Sequence, residues 1–142
     1  MTVSEEKKSA KPIGSPEDLP ILVVDDEVTM QILATTILEK LGHPTEAVDS
    51  GEDAIAKYKE ASEDGKPFAA VVMDLALPGG ISGLEATIAI KQFDPNAKII
   101  VSSGYLEQQA RGAALEHGFA GMLPKPYGAN QLASELRWVL KN

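Results

Sequence analysis

Four short stretches of this chain carry side chains able to do chemistry. Asp25-Asp26-Glu27 follows the apolar tetrad Ile21-Leu22-Val23-Val24, and Asp74 closes the apolar run from Phe68 to Met73. Ser102-Ser103-Gly104 ends Ile99-Ile100-Val101, and Lys125 lies between Pro124 and Pro126 just after Phe119 to Leu123. Three carboxylates brought together repel one another, and ionising all of them is costly. A hard divalent cation with oxygen ligands resolves that repulsion, and magnesium suits such a donor set. The fixed charge of Lys125 and the hydroxyl of Ser103 then suit a phosphoryl group, whose transfer is largely positioning and charge stabilisation. In that setting Asp74 is the nucleophile and an aspartyl-phosphate is the product. Each residue alone has a plainer reading: Asp74 a strand cap, Asp25 or Asp26 a helix N-cap, Ser103 a turn residue, Lys125 a solvated loop lysine. Five such residues, each at the end of an apolar run, are not independent accidents.

The elements that must position them are legible as apolar runs alternating with helical patterns. Ile21 to Val24 reads as a strand, and Met30, Leu33, Ile37 and Leu41 recur at helical spacing until Gly42. Thr45 to Val48 is a weak strand, and Ser50 is the expected N-cap of a helix carrying Ala54, Ile55 and Tyr58. Gly65 and Pro67 break that helix before the strand Phe68 to Met73, and Pro78 with Gly79-Gly80 turns the chain afterwards. Ser82 opens a helix through Leu84 and Ile88, closed by Asp94-Pro95. Ile99 to Val101 is a strand, Leu106 to His117 an alanine-rich helix carrying Gly112, and Phe119 to Leu123 a last strand. Leu132, Leu136, Val139 and Leu140 mark the final helix. Five strands alternating with five helices imply an α/β doubly wound parallel sheet with right-handed crossovers. The C-terminal strand ends of such a sheet gather at one edge, where ligands bind.

Composition narrows the function classes. The 142 residues suit one domain with a sizeable core, and 44% apolar and 24% charged residues are ordinary globular values. Residues 1–19, with Glu5-Glu6-Lys7-Lys8 and scattered prolines, read as a tail or linker, leaving 20–142 as the domain. A net charge of −8 argues against a nucleic-acid surface and suits a cation or a basic partner. With no cysteine, zinc-thiolate sites, disulfides and thiol catalysis are excluded. No apolar run approaches a membrane span or a signal peptide, so a cytoplasmic location is expected. A serine hydrolase built on Ser103 lacks the glycine elbow, since Val101 stands at its first position. A nucleotide-binding module lacks a glycine loop after the first strand, where acidic Asp25-Asp26 stands instead. His43 and His117 read as surface residues without paired ligand spacing, and Trp138 as a packing residue beside the last helix's apolar stripe.

Leu22-Val23-Val24-Asp25-Asp26-Glu27, Met73-Asp74-Leu75 with Pro78, Ser103-Gly104 and Lys125-Pro126-Tyr127 together resemble the receiver domain of the two-component response-regulator family. The resemblance runs from Leu19 to Lys141 and implies a flavodoxin-like (βα)5 fold with strand order 2-1-3-4-5. It implies that Asp74 is the phosphoacceptor. Asp26, Asp74 and the backbone carbonyl of Ala76 match inner magnesium ligands, and Asp25 a carboxylate that reaches the metal through water. Ser103 matches the hydroxyl that follows the phosphoryl group, and Lys125 the lysine that pairs with it. The implied donor is a phosphohistidine on a sensor histidine kinase or a histidine phosphotransfer protein, and the implied output is an unknown downstream protein target. Such a domain is a regulatory phosphoacceptor, not an enzyme, though it assists its own phosphotransfer and slow self-dephosphorylation. The alternative is a receiver fold used only for docking, against which the full set of five site residues argues.

Three departures from the family pattern stand out. The loop Pro78-Gly79-Gly80-Ile81-Ser82-Gly83 is one residue longer than the commonest form and resembles receivers of hybrid histidine kinases. Met122 replaces the usual switching aromatic and cannot donate a hydrogen bond, while Tyr105 and Tyr127 flank the region. Ala76 stands where many members carry a polar side chain, so it is not expected to orient water, and Tyr105 is expected to shield the phosphoryl group. The fifth helix closes the sequence without an output domain, which fits a stand-alone regulator or a receiver of a hybrid kinase.

Overall fold

The structure is a computed structural model that describes residues 19–104 and 115–141. Its strands are β1 (Ile21–Val24), β2 (Thr45–Val48), β3 (Ala70–Asp74), β4 (Ile99–Ser103) and β5 (Gly121–Pro124). Among the described residues four helices accompany them: α1 (Val28–Lys40), α2 (Gly51–Glu63), α3 (Gly83–Phe93) and α4 (Ala129–Lys141). The strands form one parallel sheet in the order β2-β1-β3-β4-β5, as expected. The expected helix from Leu106 lies largely outside the described residues, with Leu115 and Glu116 helical at its far end.

The two faces of the sheet are filled separately, which is why β1, β3 and β4 read as unbroken apolar runs. Leu22, Val24, Val71, Met73, Ile99 and Val101 pack with Ala54 and Tyr58 of α2 and Ala86 and Ile90 of α3. Ile21, Val23, Ala70, Val72, Ile100 and Leu123 pack with Ala34, Ile37 and Leu38 of α1 and Leu132, Leu136 and Val139 of α4. Leu19, at the end of the expected tail, packs against this second cluster, and Pro20 O accepts from Ala69 N at 2.8 Å.

Several local expectations need correction. The buried stripe of α1 is Ala34, Ile37 and Leu38, with Leu33 and Leu41 turned outward, because α1 is rich enough in apolar residues to permit two phases. On α3 the buried residues are Gly83, Ala86, Thr87 and Ile90, whereas Leu84 and Ile88 are exposed. Small residues there allow close approach to the sheet, and a search for large apolar side chains overlooks them. Trp138, beside the apolar stripe of α4, is 41% exposed. Phe68 and Phe119 are buried but precede their strands.

Helix ends follow the capping chemistry of the sequence. Ser50 Oγ accepts from Asp53 N at 3.1 Å, and Ser82 and Glu85 form a reciprocal capping box. The N-cap position of α1 falls on Glu27, which makes no side-chain capping bond, so neither Asp25 nor Asp26 serves as a helix cap. Among the described residues no helix is long and apolar enough to cross a membrane.

Candidate functional site

The C-terminal ends of β1, β3 and β5 bring Asp25, Asp74 and Lys125 together. Asp25 directly follows β1 and is buried, with its N–H given to Val48 O at 3.1 Å. Its Oδ1 accepts from Glu27 N at 3.0 Å, and Gln31 Nε2 donates to its backbone carbonyl at 2.6 Å. These bonds fix the turn from β1 into α1 and leave Asp25 Oδ2 for Lys125 Nζ, 2.9 Å away. Asp74 is buried as the last residue of β3. Its Oδ1 accepts from Ala76 N at 3.0 Å and its Oδ2 from Lys125 Nζ at 3.3 Å. Glu27 Oε1 stands 3.6 Å from the same ammonium. Lys125 is held in turn by its N–H bond to Ser103 O at 2.9 Å, and its peptide bond to Pro126 is cis.

Asp26 completes the acidic group from the exposed side. Asp25, Asp26 and Asp74 each offer a carboxylate oxygen, and these oxygens lie within 4.8 Å of one another. Two buried carboxylates and one exposed, all hard oxygen donors, fit a hard divalent cation with solvent on its open side. Ala76 is exposed and follows Asp74 by two residues.

Electrostatics reflect this crowding. Burial pushes the Asp74 carboxyl above its usual range, the Ala76 N–H pulls it back, the neighbouring Asp25 charge raises it again, and Lys125 offsets only part of this. Burial alone lowers Lys125, but the hydrogen bond and charge of Asp25, followed by Asp74, outweigh it and hold the ammonium above its usual value. Tyr127, buried beneath them, is pushed up to about 12 by desolvation and then by the Asp25 charge.

The loop after Asp74 is clamped at both ends. Gly79 and Gly80 adopt φ of +65° and +69°, which an L side chain rarely takes. Glu52 Oε2 of α2 accepts from Ile81 N at 3.1 Å. Gly83 sits against the carbonyl of Asp74, where an added Cβ would collide with that oxygen.

Of the residues singled out in the sequence, Asp25, Asp26, Asp74 and Lys125 come together directly. Ser103 ends β4 one strand away from Asp74 and is buried. Met122 is buried among Phe119, Val101 and Ile99, and its N–H donates to Glu135 Oε2 at 2.7 Å. The expectation on Tyr105 lies outside the described residues. His43 is half-buried and His117 exposed. Sequence reasoning gave no role to Glu27, Gln31, Glu52 or Glu135. Glu27 had a signal, since it adjoins Asp25-Asp26; the others act across elements and leave no local trace.

Comparison with known proteins agrees with this geometry. Residues 21–137 match the family model described as the response regulator receiver domain. The chain is 32% identical over 122 residues to the chemotaxis protein CheY of Thermotoga maritima, covering 85% of this chain and 97% of that one. It is 33% identical over 121 residues to CheY of Bacillus subtilis, covering 84% and 96%. Sensor histidine kinase GacS of Pseudomonas protegens matches at 31% identity over 125 residues, 84% of this chain but 13% of the kinase. In fold, the chain resembles CheY4 of Vibrio cholerae with a TM-score of 0.75 at 22% identity, over 86% of this chain and 98% of that one. With its sheet order, its acidic cluster and its lysine in place, the chain belongs to the response regulator receiver family, the regulatory domains of two-component systems.

Proposed function

We propose that residues 20–142 form a phosphoacceptor switch in which Asp74 takes a phosphoryl group from a phosphohistidine. The donor is carried by a sensor histidine kinase or a histidine phosphotransfer protein, and the residues before Leu19 are a tail or linker. The observation that carries this reading is Lys125 Nζ placed between Asp25 Oδ2 and Asp74 Oδ2, beside three convergent carboxylates. A carboxyl oxygen of Asp74 attacks phosphorus, the P–N bond breaks, and its electron pair stays on the donor imidazole. Lys125 offsets the charge gathered on the phosphoryl oxygens, and Ser103 offers them a hydroxyl hydrogen bond. Magnesium, held by Asp25, Asp26, Asp74 and the carbonyl of Ala76, supplies further positive charge to those oxygens when bound. Drawing Lys125 and Ser103 toward the phosphoryl group changes the surface at the ends of β4 and β5, beside Met122, for a downstream protein partner. A receiver used only for docking has no need of a buried acceptor beside a lysine.

Intact mass after incubation with acetyl phosphate and magnesium tests the reading. One phosphoryl adduct is expected on the wild-type chain, and none with EDTA or in Asp74→Asn. A folded, magnesium-binding protein without an adduct would leave the docking reading in its place.

A further inference from the structure

Ser102 is 2% exposed, and its Oγ has no hydrogen-bond partner. Burying a hydroxyl without a partner is costly, so the position calls for an explanation. Side chains alternate between the faces of a strand. Val72 and Ile100 both pack toward α1 and α4, so Asp74 and Ser102, two residues further on, face that same side. Asp74 and Ser102 are register partners, on strands about 4.8 Å apart. Ser102 is also the register partner of Leu123, two residues before Lys125. To reach Asp74 on β3 from the end of β5, the Lys125 side chain spans β4 on the face that Ser102 shares. A small side chain makes room for that crossing, but alanine would do so without burying a hydroxyl.

We propose that Ser102 is a positioning residue whose hydroxyl donates to the Asp74 acyl oxygen once phosphorylation draws Lys125 away from it. This rests on the phosphoacceptor reading above. In the unphosphorylated state Asp74 Oδ1 is occupied by Ala76 N and Oδ2 by Lys125 Nζ. Once Asp74 carries the phosphoryl group, one of its oxygens bridges to phosphorus, and the other, the acyl oxygen, gives one lone pair to the cation when that is bound and loses the ammonium from the second to the phosphoryl oxygens, leaving that direction open to a donor. Ser102 Oγ, one strand spacing away on the same face, turns about a single bond to meet it. When the adduct hydrolyses, water oxygen attacks phosphorus, the bond from phosphorus to the Asp74 oxygen breaks, and its electron pair returns to the carboxylate. The water proton passes to solvent, and inorganic phosphate leaves. Negative charge develops on the Asp74 carboxyl group in that step, so a donor on the acyl oxygen favours it. Ser102 therefore shortens the phosphorylated lifetime.

The test uses the full chain loaded with acetyl phosphate, freed of excess donor, and followed by intact mass and infrared difference spectroscopy with carboxyl-labelled aspartate. Ser102→Ala is expected to slow loss of the adduct about threefold to tenfold. The acyl carbonyl band should move to higher frequency, since its hydrogen bond is gone, and Ser102→Thr should return both rate and band toward wild type. Wild type and Ser102→Ala with the same band, and with decay rates within a factor of about two, would overturn the inference and leave Ser102 as a spacer for the lysine. A wild-type chain that takes no phosphoryl group would overturn the phosphoacceptor reading and this inference together.

Discussion

At the Asp74 carboxyl group, desolvation and the Asp25 charge oppose the Ala76 N–H and Lys125, and the first pair wins. The folded state therefore holds a proton on Asp74 more tightly than the unfolded chain does. A carboxyl group raised in this way contributes stability that is complete below its unfolded value near 4 and is lost as pH climbs through the folded value. At neutral pH, without divalent ions, the ionised Asp74 is a net cost to the fold. Asp74→Asn is accordingly expected to raise stability in EDTA by about 1 kcal/mol, read as a higher urea midpoint at an unchanged slope. The difference between mutant and wild type should shrink as pH falls toward 4. Residues of this kind were legible in the sequence because each polar group interrupts or closes an apolar run. Glu52 and Glu135 were not, because each meets its partner only after distant elements pack.

Elements carry their own constraints. α3 begins so close to the end of β3 that Gly83 lies against the Asp74 carbonyl. Gly83→Ala should push α3 away from the sheet and cost about 2–3 kcal/mol, read as a lowered urea midpoint. Its capping box should survive, since Ser82 and Glu85 are unchanged. α2 is tied to the loop after α3 by Tyr58, whose buried hydroxyl donates to Asp94 Oδ2 at 2.7 Å. Tyr58→Phe should cost about 1–2 kcal/mol at neutral pH. Burial, and then the hydrogen bond to Asp94, raise the Tyr58 phenol far above its usual value. The unfolded chain loses this proton near pH 10 and the folded chain does not, so its stabilising contribution is present below that value and lost above it. Urea midpoints at about pH 8 and about pH 11 should therefore converge between wild type and Tyr58→Phe. The parallel sheet and the helix placement followed from alternation and the apolar runs, while the strand order came with the family resemblance. The phase of α1 and α3 did not, because Val28, Ile32 and Leu33 on one helix and Leu84 and Ile88 on the other are exposed apolar residues that mimic a core stripe.

At the scale of the whole molecule, three acidic groups gathered at one sheet edge should make stability respond to a divalent cation. A ligand that binds only the folded state adds RT ln(1 + [L]/Kd), about 2.7 kcal/mol at a hundredfold excess over Kd. Magnesium should thus raise the melting temperature of the wild-type chain by several degrees, and Asp26→Asn should abolish most of that shift in a thermal denaturation series. The response separates metal binding from phosphorylation, since no phosphoryl donor is present.

The two margins of the sheet bear on how the molecule behaves among its own copies. β2 and β5 are edge strands of four residues each. Such margins can template the growth of one sheet onto another. On β5 the Glu135 carboxylate takes the Met122 N–H, and on β2 the charged pair Glu46 and Lys57 closes at 3.0 Å beside the strand. A carboxylate already bonded to a strand amide repels an incoming strand's carbonyl, and a charged margin resists burial against a second chain. The same glutamate that seats α4 on β5 should thus also discourage polymerisation. Glu135→Ala should therefore increase the formation of fibrils or aggregates at high concentration, seen as rising thioflavin fluorescence and light scattering.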